Sequence, residues 1–302
     1  MEVEDRFSAP RYWPTWIGIS LLRLWAKLPW SLQCAIAKLL AFAAYRLAKR
    51  RRNIVNTNLK LAFPEWDATE RENKTKQVLF DNMLGLVETA KAYSRPPESF
   101  RSKTTFKNVD ILQSAIDQGR GVLLLGAHYS HLDFGGSLLS MVCAPNAIYR
   151  PNNNALMDRY IKQGRLSFID NVIERSDMRT IAKTLKQGKI VWYPPDQDYG
   201  KKHSVYAPFF GVNAASIIAT SRLVRFNQSP VVVMSVVRHG NSDHYTLEFH
   251  ALDEDFPSGD DIKDATIVNQ ALERCIRKAP TQYMWTHRRF KTQPEGRAKF
   301  YK

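Results

Sequence analysis

Short apolar segments that alternate with helical segments constrain the fold of this chain more than any other feature. The run Val122-Leu123-Leu124-Leu125 lies between two glycines, as is typical of a buried strand. Four further runs predict strands at residues 147–150, 189–193, 230–237 and 245–249. Because helical patterns separate these runs, the sequence predicts an α/β fold, in which a mixed sheet is flanked by helices and is parallel at least in part.

The helical patterns between and before the strands fix where a site can form. They cover residues 52–61, 68–93, 133–142, 155–165, 178–187, 214–226 and 262–277. Thr69 is the predicted N-cap of the second helix, because two glutamates follow it closely. Loops that leave the carboxyl ends of strands usually build the site in such sheets. Polar clusters follow Leu125, Tyr149 and Tyr193, so we expect the site at these three strand ends.

The N-terminal part of the chain is rich in tryptophan and leucine but is interrupted by charge. Cations and Pro29 break the apolar stretch 12–48, whereas Ile17, Leu21 and Leu24 fall on one helical face, away from Arg23. We therefore predict two parts, a membrane anchor over residues 1–50 and a catalytic domain over residues 51–302. The anchor either spans the bilayer or lies in its interface, and a buried hairpin of a soluble protein is the alternative.

Charge and cysteine content narrow the partners. The chain has 44 Lys and Arg against 29 Asp and Glu, a formal net charge of +15. Such a surface attracts nucleic acid, anionic lipid headgroups or acidic carrier proteins. The basic run 49–52 suits an anionic cytoplasmic leaflet. The three cysteines are widely spaced, which indicates neither a metal site nor a disulfide framework and fits a reducing compartment.

His128 and Asp133 form the first candidate site, in a polar turn that leaves a strand and enters a helix. The carboxylate of Asp133 could hold one ring nitrogen of His128 and leave the other free as a base. Such a base could deprotonate an alcohol for attack on an activated acyl group. Two alternatives stay open. His128, His131 and Asp133 could bind a metal, or His128 could be a structural histidine.

Three further segments carry candidate side chains. Arg150 could hold a phosphate or orient a reacting group, or it could be a surface arginine near a turn. Asp196 and Asp198 could bind a divalent metal or position basic groups, and Phe209 and Phe210 after them could line a slot for an acyl chain. The alternative for this segment is a structural turn that is held in place by its hydrophobic side chains. The last segment contains Arg288 and Arg289 among aromatic residues, which suits phosphorylated sugars or nucleic acid.

Taken together, these segments resemble the bacterial lipid A biosynthesis acyltransferase family, the late lauroyl, myristoyl and palmitoleoyl type. The resemblance runs from Arg11 to Gly296. Its specific motifs are Tyr149-Arg150-Pro151, Trp192-Tyr193-x-Pro195-Asp196-x-Asp198-Tyr199-Gly200, Pro208-Phe209-Phe210-Gly211 and Gln282-Tyr283-Met284-Trp285-x-His287-Arg288-Arg289-Phe290-Lys291.

The resemblance implies a glycerolipid-acyltransferase-like fold at the cytoplasmic face of a bacterial inner membrane. It implies that acyl carrier protein donates an acyl chain to a hydroxyl of a lipid A precursor of the Kdo-lipid IVA type. The partners implied are acyl carrier protein, anionic membrane lipid and this precursor, without nucleic acid, metal or cofactor. The family's His-x4-acid motif falls on His128 and Asp133, the HX4D form, where relatives often carry glutamate as the acid.

The hypothesis is direct transfer with His128 as general base and Asp133 as the acid that steadies it. Arg150 is the predicted oxyanion donor or phosphate ligand, and Asp198 and Asp196 are predicted to position basic groups. Three alternatives remain. The acceptor could be another glycolipid, such as a phosphoinositol mannoside. The chain could be a metal-dependent phosphoesterase that uses His128, His131, Asp196 and Asp198, or a non-catalytic membrane-binding protein.

Overall fold

The computed structural model describes residues 7–252, 255–295 and 299–301. The first six residues of the predicted anchor and Gly296, at the end of the resemblance, lie outside the described residues. The α-helices in the described part are α1 Trp13–Lys27, α2 Trp30–Leu47, α3 Lys49–Ala62, α4 Ala68–Ala92, α5 Val109–Asp117, α6 Leu132–Leu139, α7 Ala155–Leu166, α8 Met178–Lys186, α9 Ala219–Asn227 and α10 Asp261–Lys278.

Seven of the strands form one mixed sheet, and two form a separate hairpin. The strands are β1 Thr104–Lys107, β2 Val122–Gly126, β3 Pro145–Tyr149, β4 Asn171–Glu174, β5 Ile190–Tyr193, β6 Ser204–Phe209, β7 Val212–Ile217, β8 Val231–Arg238 and β9 Tyr245–Ala251. The sheet order is β1-β9-β8-β2-β5-β3-β4, in which only the β8–β9 pair is antiparallel. The predicted α/β class with a mixed sheet flanked by helices is therefore confirmed.

The order of the central strands determines where the polar turns meet. β2 pairs with β8 on one side and with β5 on the other, and β5 pairs in turn with β3, all in parallel. Every residue of β2 and β5 is buried, since helices cover both faces of the sheet. The carboxyl ends of β2, β5 and β3 therefore lie side by side at one edge, and the three predicted polar clusters follow them.

A β-hairpin occupies part of a segment that the sequence predicts as helix. Residues 214–217 lie in β7, and α9 begins only at Ala219, so the helix predicted over 214–226 starts too early. β6 and β7 are joined by Phe210 and Gly211, which both have positive φ angles, 50° and 74°. A two-residue turn of this kind matches the twist of the strands, and glycine adopts it without strain.

α4 begins two residues earlier than an N-cap at Thr69 allows. The carboxylate of Asp67 accepts a hydrogen bond from the backbone N–H of Glu70 at 2.7 Å, so Asp67 rather than Thr69 caps this helix. An aspartate has the same capping chemistry as threonine and adds a charge that favours the helix N-terminus. The long helix that follows packs on α1 and α2 through the apolar side chains of Trp25, Ala37, Leu79 and Leu84.

The N-terminal helices expose the apolar face that the sequence predicts for them. Pro29 separates α1 from α2, and Ile17, Leu21 and Leu24 of α1 are each about 60% exposed. By length and composition, no single helix among the described residues suffices to cross a membrane. α2 and α3 pass that test only as a pair, with a 94° bend between them.

Candidate active site

His128 is held by Asp196, at the ends of two neighbouring strands. β2 ends at Gly126 and β5 ends at Tyr193, so the turns that follow them carry these two side chains into contact. The Nδ1 atom of His128 lies 2.6 Å from Oδ1 of Asp196. The backbone N–H of His128 donates to Oδ2 of the same carboxylate at 2.9 Å. Both carboxylate oxygens are therefore used on one residue, which fixes the position and the rotation of the imidazole.

The charge state of Asp196 determines which nitrogen of His128 is free. Complete burial by itself raises the pKa of Asp196, but attraction to His128 and the hydrogen bonds from it outweigh burial and hold the pKa at about 2. An ionised carboxylate only accepts hydrogen bonds, so in the neutral imidazole Nδ1 carries the proton and Nε2 has the lone pair. The side chain of His128 is 16% exposed, which leaves access to this ring from outside. The arrangement is that of a histidine prepared to accept a proton.

A C-terminal segment, residues 282–284, holds the same turn through backbone hydrogen bonds. The backbone N–H of Met284 donates to the carbonyl of His128 at 2.8 Å, and that of Ser130 donates to the carbonyl of Gln282 at 2.8 Å. The amide side chain of Gln282 binds both backbone groups of Arg238, at the end of β8. The turn with His128 is therefore linked by hydrogen bonds to the end of β8.

Asp133 does not contact His128, contrary to the predicted pair. It lies in the first turn of α6, and its Oδ1 accepts a hydrogen bond from Nε of Arg165 on α7 at 2.6 Å. A second guanidinium nitrogen of Arg165 lies 3.3 Å from the other carboxylate oxygen. Asp196 already occupies Nδ1 of His128, and an arginine is a strong partner for the carboxylate of Asp133. The acid that orients the imidazole is thus 68 residues away in sequence, not five.

His131 lies in the interior, away from the solvent-accessible turn. It is fully buried, and its Nδ1 lies 4.0 Å from a carboxylate oxygen of Glu88. Burial lowers the pKa of His131 to about 4, so the ring is neutral near pH 7. No group of three or more His, Cys, Asp or Glu side chains in the described ranges is placed to bind a metal ion. Two metal sites are considered from the sequence, one with His128, His131 and Asp133 as ligands and one with His128, His131, Asp196 and Asp198. Neither set has the geometry that a metal site requires.

Asp198 fastens two loops together rather than positioning a basic side chain. Its carboxylate accepts hydrogen bonds from the backbone N–H of Gly200 and from both the N–H and the hydroxyl of Thr292, at 2.6–2.9 Å. The backbone N–H of Asp198 donates to Nε2 of His287 at 3.2 Å. Burial lowers the pKa of His287 to about 4, so its ring is neutral and can accept this bond.

The two predicted arginines of the C-terminal motif lie in different environments. Arg289 is buried, its guanidinium donates to the carbonyl of Ala215 and to the hydroxyl of Ser216, and it stacks on the ring of Phe209. A side chain used in this way cannot reach a phosphate from solvent, so its predicted role in substrate binding does not fit its position. Arg288 is partly exposed and lies over the ring of Tyr301.

Arg150 is exposed at the carboxyl end of β3, on the same sheet edge as His128. Phe209 and Phe210, in contrast, are buried among other aromatic rings. The ring of Phe210 lies 5.1 Å from that of Phe63 and 5.7 Å from that of Trp285. An acyl chain could enter between these rings only by displacing them, so the slot predicted here is closed.

Several side chains that support the site were not assigned from the sequence. Asn58 on α3 is buried and donates to the carbonyls of Trp285 and His287, both at 2.7 Å, which holds the C-terminal segment in place. Arg238, at the end of β8, forms a buried ion pair with Glu88 at 3.0 Å and contacts Asp81 as well. In the sequence, each of these residues is visible only as a polar residue within a helical or strand-like pattern. That signal does not identify the partner of the side chain.

The fold and the site define an α/β enzyme with a solvent-accessible, carboxylate-oriented histidine at the edge of a mostly parallel sheet. The chain matches the family described as bacterial lipid A biosynthesis acyltransferase over residues 1–292. It is 37% identical over 296 residues to the lipid A biosynthesis palmitoleoyltransferase of Escherichia coli, covering 98% of this chain and 96% of that protein.

Two other proteins of Escherichia coli support the same assignment. The chain is 37% identical over 292 residues to the lipid A biosynthesis lauroyltransferase, with 95% of this chain and 94% of that protein covered. It is 26% identical over 303 residues to the lipid A biosynthesis myristoyltransferase, with 100% and 94% covered. This chain belongs to the bacterial lipid A biosynthesis acyltransferase family, and it is an acyltransferase.

Proposed function

We propose that this enzyme transfers a fatty acyl chain from acyl carrier protein to a hydroxyl of a lipid A precursor of the Kdo-lipid IVA type. The observation that supports the chemistry is the contact between His128 and Asp196, which leaves Nε2 of an accessible imidazole free. Family membership supports the substrates, because the related proteins are named as lipid A acyltransferases. The proposed place of action is the cytoplasmic face of the bacterial inner membrane.

In the proposed reaction, Nε2 of His128 takes the proton of the acceptor hydroxyl as its oxygen attacks the thioester carbon. The tetrahedral intermediate collapses with cleavage of the carbon–sulfur bond, and the thiolate of the carrier takes up a proton. Asp196 stabilises the imidazolium in between, since its carboxylate is ionised and in contact with Nδ1. Arg150, exposed at the neighbouring strand end, is the proposed donor to the oxyanion or ligand of a phosphate.

The proposed attachment to the membrane rests on the N-terminal helices. Trp13, Ile17 and Leu21 on α1 and Leu39 and Leu47 on α2 are between 58% and 82% exposed, although they are large and apolar. An exposed apolar patch of this kind marks an interaction surface, and a helix with such a face beside cations suits the membrane interface. The cations of 49–52 follow directly at the start of α3.

One experiment tests donor, acceptor and base together. Purified enzyme is incubated with a panel of acyl carrier protein thioesters and either a tetra-acylated lipid A precursor or a phosphoinositol mannoside, and mass spectrometry identifies the product. We expect one acyl chain to be added to the lipid A precursor. His128→Ala should lower kcat about 10²–10⁴-fold, because general-base assistance contributes that much. His244→Ala, at an exposed histidine, is the matched control.

The outcomes separate the parts of the proposal. Product formed only on the mannoside would replace the acceptor, and full activity of folded His128→Ala protein would remove His128 as the base. An enzyme that accepts none of the carrier-protein thioesters would contradict the proposed donor.

The positive charge of the chain predicts that donor binding depends on salt. The formal net charge is +15, and acyl carrier protein is acidic, so exposed charges on the two proteins attract each other. Because salt screens such attraction, we expect the KM for the thioester to rise as NaCl is increased, with little change in kcat. A KM that is the same at low and high ionic strength would contradict electrostatic docking of the donor.

A further inference from the structure

A groove between α2 and α4 lies apart from the residues of the proposed active site. It has a volume of about 550 Å³ and is lined by side chains of both helices and by Asn241 in the β8–β9 turn. This size lies within the range of about 300–1,000 Å³ that is usual for sites of small ligands. None of the side chains assigned to acyl transfer lines this groove. The proposed reaction therefore does not account for it.

The lining of the groove is cationic. Lys38, Arg46 and Lys76 carry positive charge, and Glu72 is the single acidic residue among the described residues that line it. Glu72 is already paired with Lys76 at 2.9 Å and accepts a hydrogen bond from the hydroxyl of Tyr45. Neither Lys38 nor Arg46 forms an ion pair within the described ranges. Two cations without an ion pair thus face the groove, and Glu72, the one carboxylate among its described lining residues, is already paired.

The groove adjoins the exposed apolar face of α2. Phe42 lines the groove and is 60% exposed, and Leu39 and Leu47, one residue along the helix from Lys38 and Arg46, are 67% and 82% exposed. A ligand that fits both surfaces has an anionic head and apolar chains. The amides of Asn73 and Gln77 on the α4 side can donate hydrogen bonds to phosphate oxygens.

We propose that this groove binds the phosphate of an anionic phospholipid, with Lys38 and Arg46 as its main ligands and the acyl chains along the apolar face of α2. The site holds the N-terminal helices at a fixed depth in the leaflet while the active site works elsewhere on the molecule. This proposal rests on the proposed membrane attachment, but not on the identity of the acyl donor or acceptor.

Retention of lipid by the detergent-solubilised enzyme tests the site. Full-length protein is mixed with phosphatidylglycerol or with phosphatidylcholine, and bound lipid is counted by native mass spectrometry. We expect phosphatidylglycerol to be retained and phosphatidylcholine not to be. The double variant K38Q/R46Q should retain phosphatidylglycerol at least about tenfold more weakly, because each cation near an anionic lipid surface contributes severalfold to binding. R179Q/K183Q removes the same charge from exposed positions on α8 and should retain lipid as the wild type does.

Two further measurements distinguish a specific lipid site from general attachment to the membrane. Sedimentation with vesicles that contain phosphatidylglycerol measures membrane attachment by itself, and thermal unfolding checks that both double variants fold. Equal retention of phosphatidylglycerol by wild type and K38Q/R46Q overturns the site, even if both proteins bind vesicles. Displacement of the lipid by inorganic phosphate alone also contradicts it, because the groove then selects phosphate rather than a phospholipid. Absence of vesicle binding in the wild type would instead count against membrane attachment.

Discussion

The carboxylate of Asp196 shows how a costly buried charge is made stable. Its side chain is fully buried, and an isolated ion there would be strongly unfavourable. Two hydrogen bonds from His128, one from the ring and one from the backbone, offset this cost and keep the group ionised. The bond at the ring also determines the tautomer of the imidazole, so the charge of Asp196 and the orientation of His128 depend on the same contact.

Comparison of Asp196→Asn with Asp133→Asn tests which acid orients His128. We expect Asp196→Asn to lower kcat about 10²–10⁴-fold, since an amide can donate to Nδ1 and so favour the wrong tautomer. Asp133→Asn leaves the contact with Asp196 in place and should retain clearly more activity. It should lower the free energy of unfolding by about 1–3 kcal/mol, because the charged bond to Arg165 is lost. Equal losses of kcat would restore Asp133 as the orienting acid.

The sequence singles out His128 but not the acid that contacts it. His128 and Asp196 both follow apolar runs that read as strands, and so both can be predicted to lie at a sheet edge. Their contact depends on β5 being the neighbour of β2, which is a property of strand order. The nearer acid, Asp133, is favoured by its spacing and by the family motif. His128 does lie on the turn and Asp133 in the first turn of α6, but Asp196 contacts Nδ1 of His128 and Arg165 takes up the carboxylate of Asp133.

At the scale of elements, α4 packs directly against the turn that carries His128. A Cβ atom at Gly85 would lie 2.2 Å from the backbone carbonyl oxygen of Ser130, so only glycine allows this approach. One turn further along, Glu88 forms its buried pair with Arg238 and accepts a hydrogen bond from Tyr245 at 2.6 Å. The ion pair therefore fixes the helix against β8, and the hydrogen bond fixes it against β9. Close packing at Gly85 fixes it against the turn that carries His128.

Gly85→Ala is expected to displace this turn. Overpacking typically costs about 1–3 kcal/mol, which exceeds the gain of about 1 kcal/mol that alanine brings to a helix interior. Both the melting temperature and kcat should fall. Gly18→Ala is the matched control, because Gly18 also lies within a helix, α1, and nothing lies within 4 Å of its added Cβ. A Gly85→Ala enzyme as stable and active as Gly18→Ala would contradict the close packing.

The elements that the sequence identifies are those with a strong local pattern. The predicted central strands and most helices are present, because buried apolar runs and helical periodicity depend on neighbours in sequence. β1 and β4 were not predicted, since their four residues have only one or two apolar side chains and alternate or mixed burial. β7 was read as helix because alanine and isoleucine in Ala214–Ile217 suit either state until a partner strand pairs with them.

On the scale of the whole molecule, two neutral histidines connect stability to pH. Burial lowers the pKa values of His131 and His287 to about 4, whereas an unfolded histidine titrates near 6.5. Between these values the unfolded chain binds more protons than the folded one. Stability is therefore complete above about pH 6.5 and decreases as the pH falls towards 4. The pKa of Asp196, about 2, places its own titration below this window.

Thermal unfolding should accordingly show an acid-sensitive enzyme. We expect the free energy of unfolding to fall between pH 7 and pH 5, by up to about 2 kcal/mol for each histidine. His287→Gln should reduce this decrease, because glutamine does not titrate, while His244→Ala should leave it unchanged. A pH dependence that is identical in His287→Gln and in the wild type would show that other groups are responsible.

The bracing of His128 from the C-terminal side has a consequence for the order of events during synthesis. Gln282 and Met284 hold its turn, and Thr292 holds the loop of Asp198, so the contacts around His128 are complete only after residues 282–292 have been translated. The N-terminal helices α1 and α2, with their exposed apolar side chains, leave the ribosome long before this C-terminal segment. If the proposed membrane attachment and the proposed role of His128 hold, a nascent chain meets its bilayer before the turn of His128 is ordered, and an incomplete chain at the membrane transfers no acyl group.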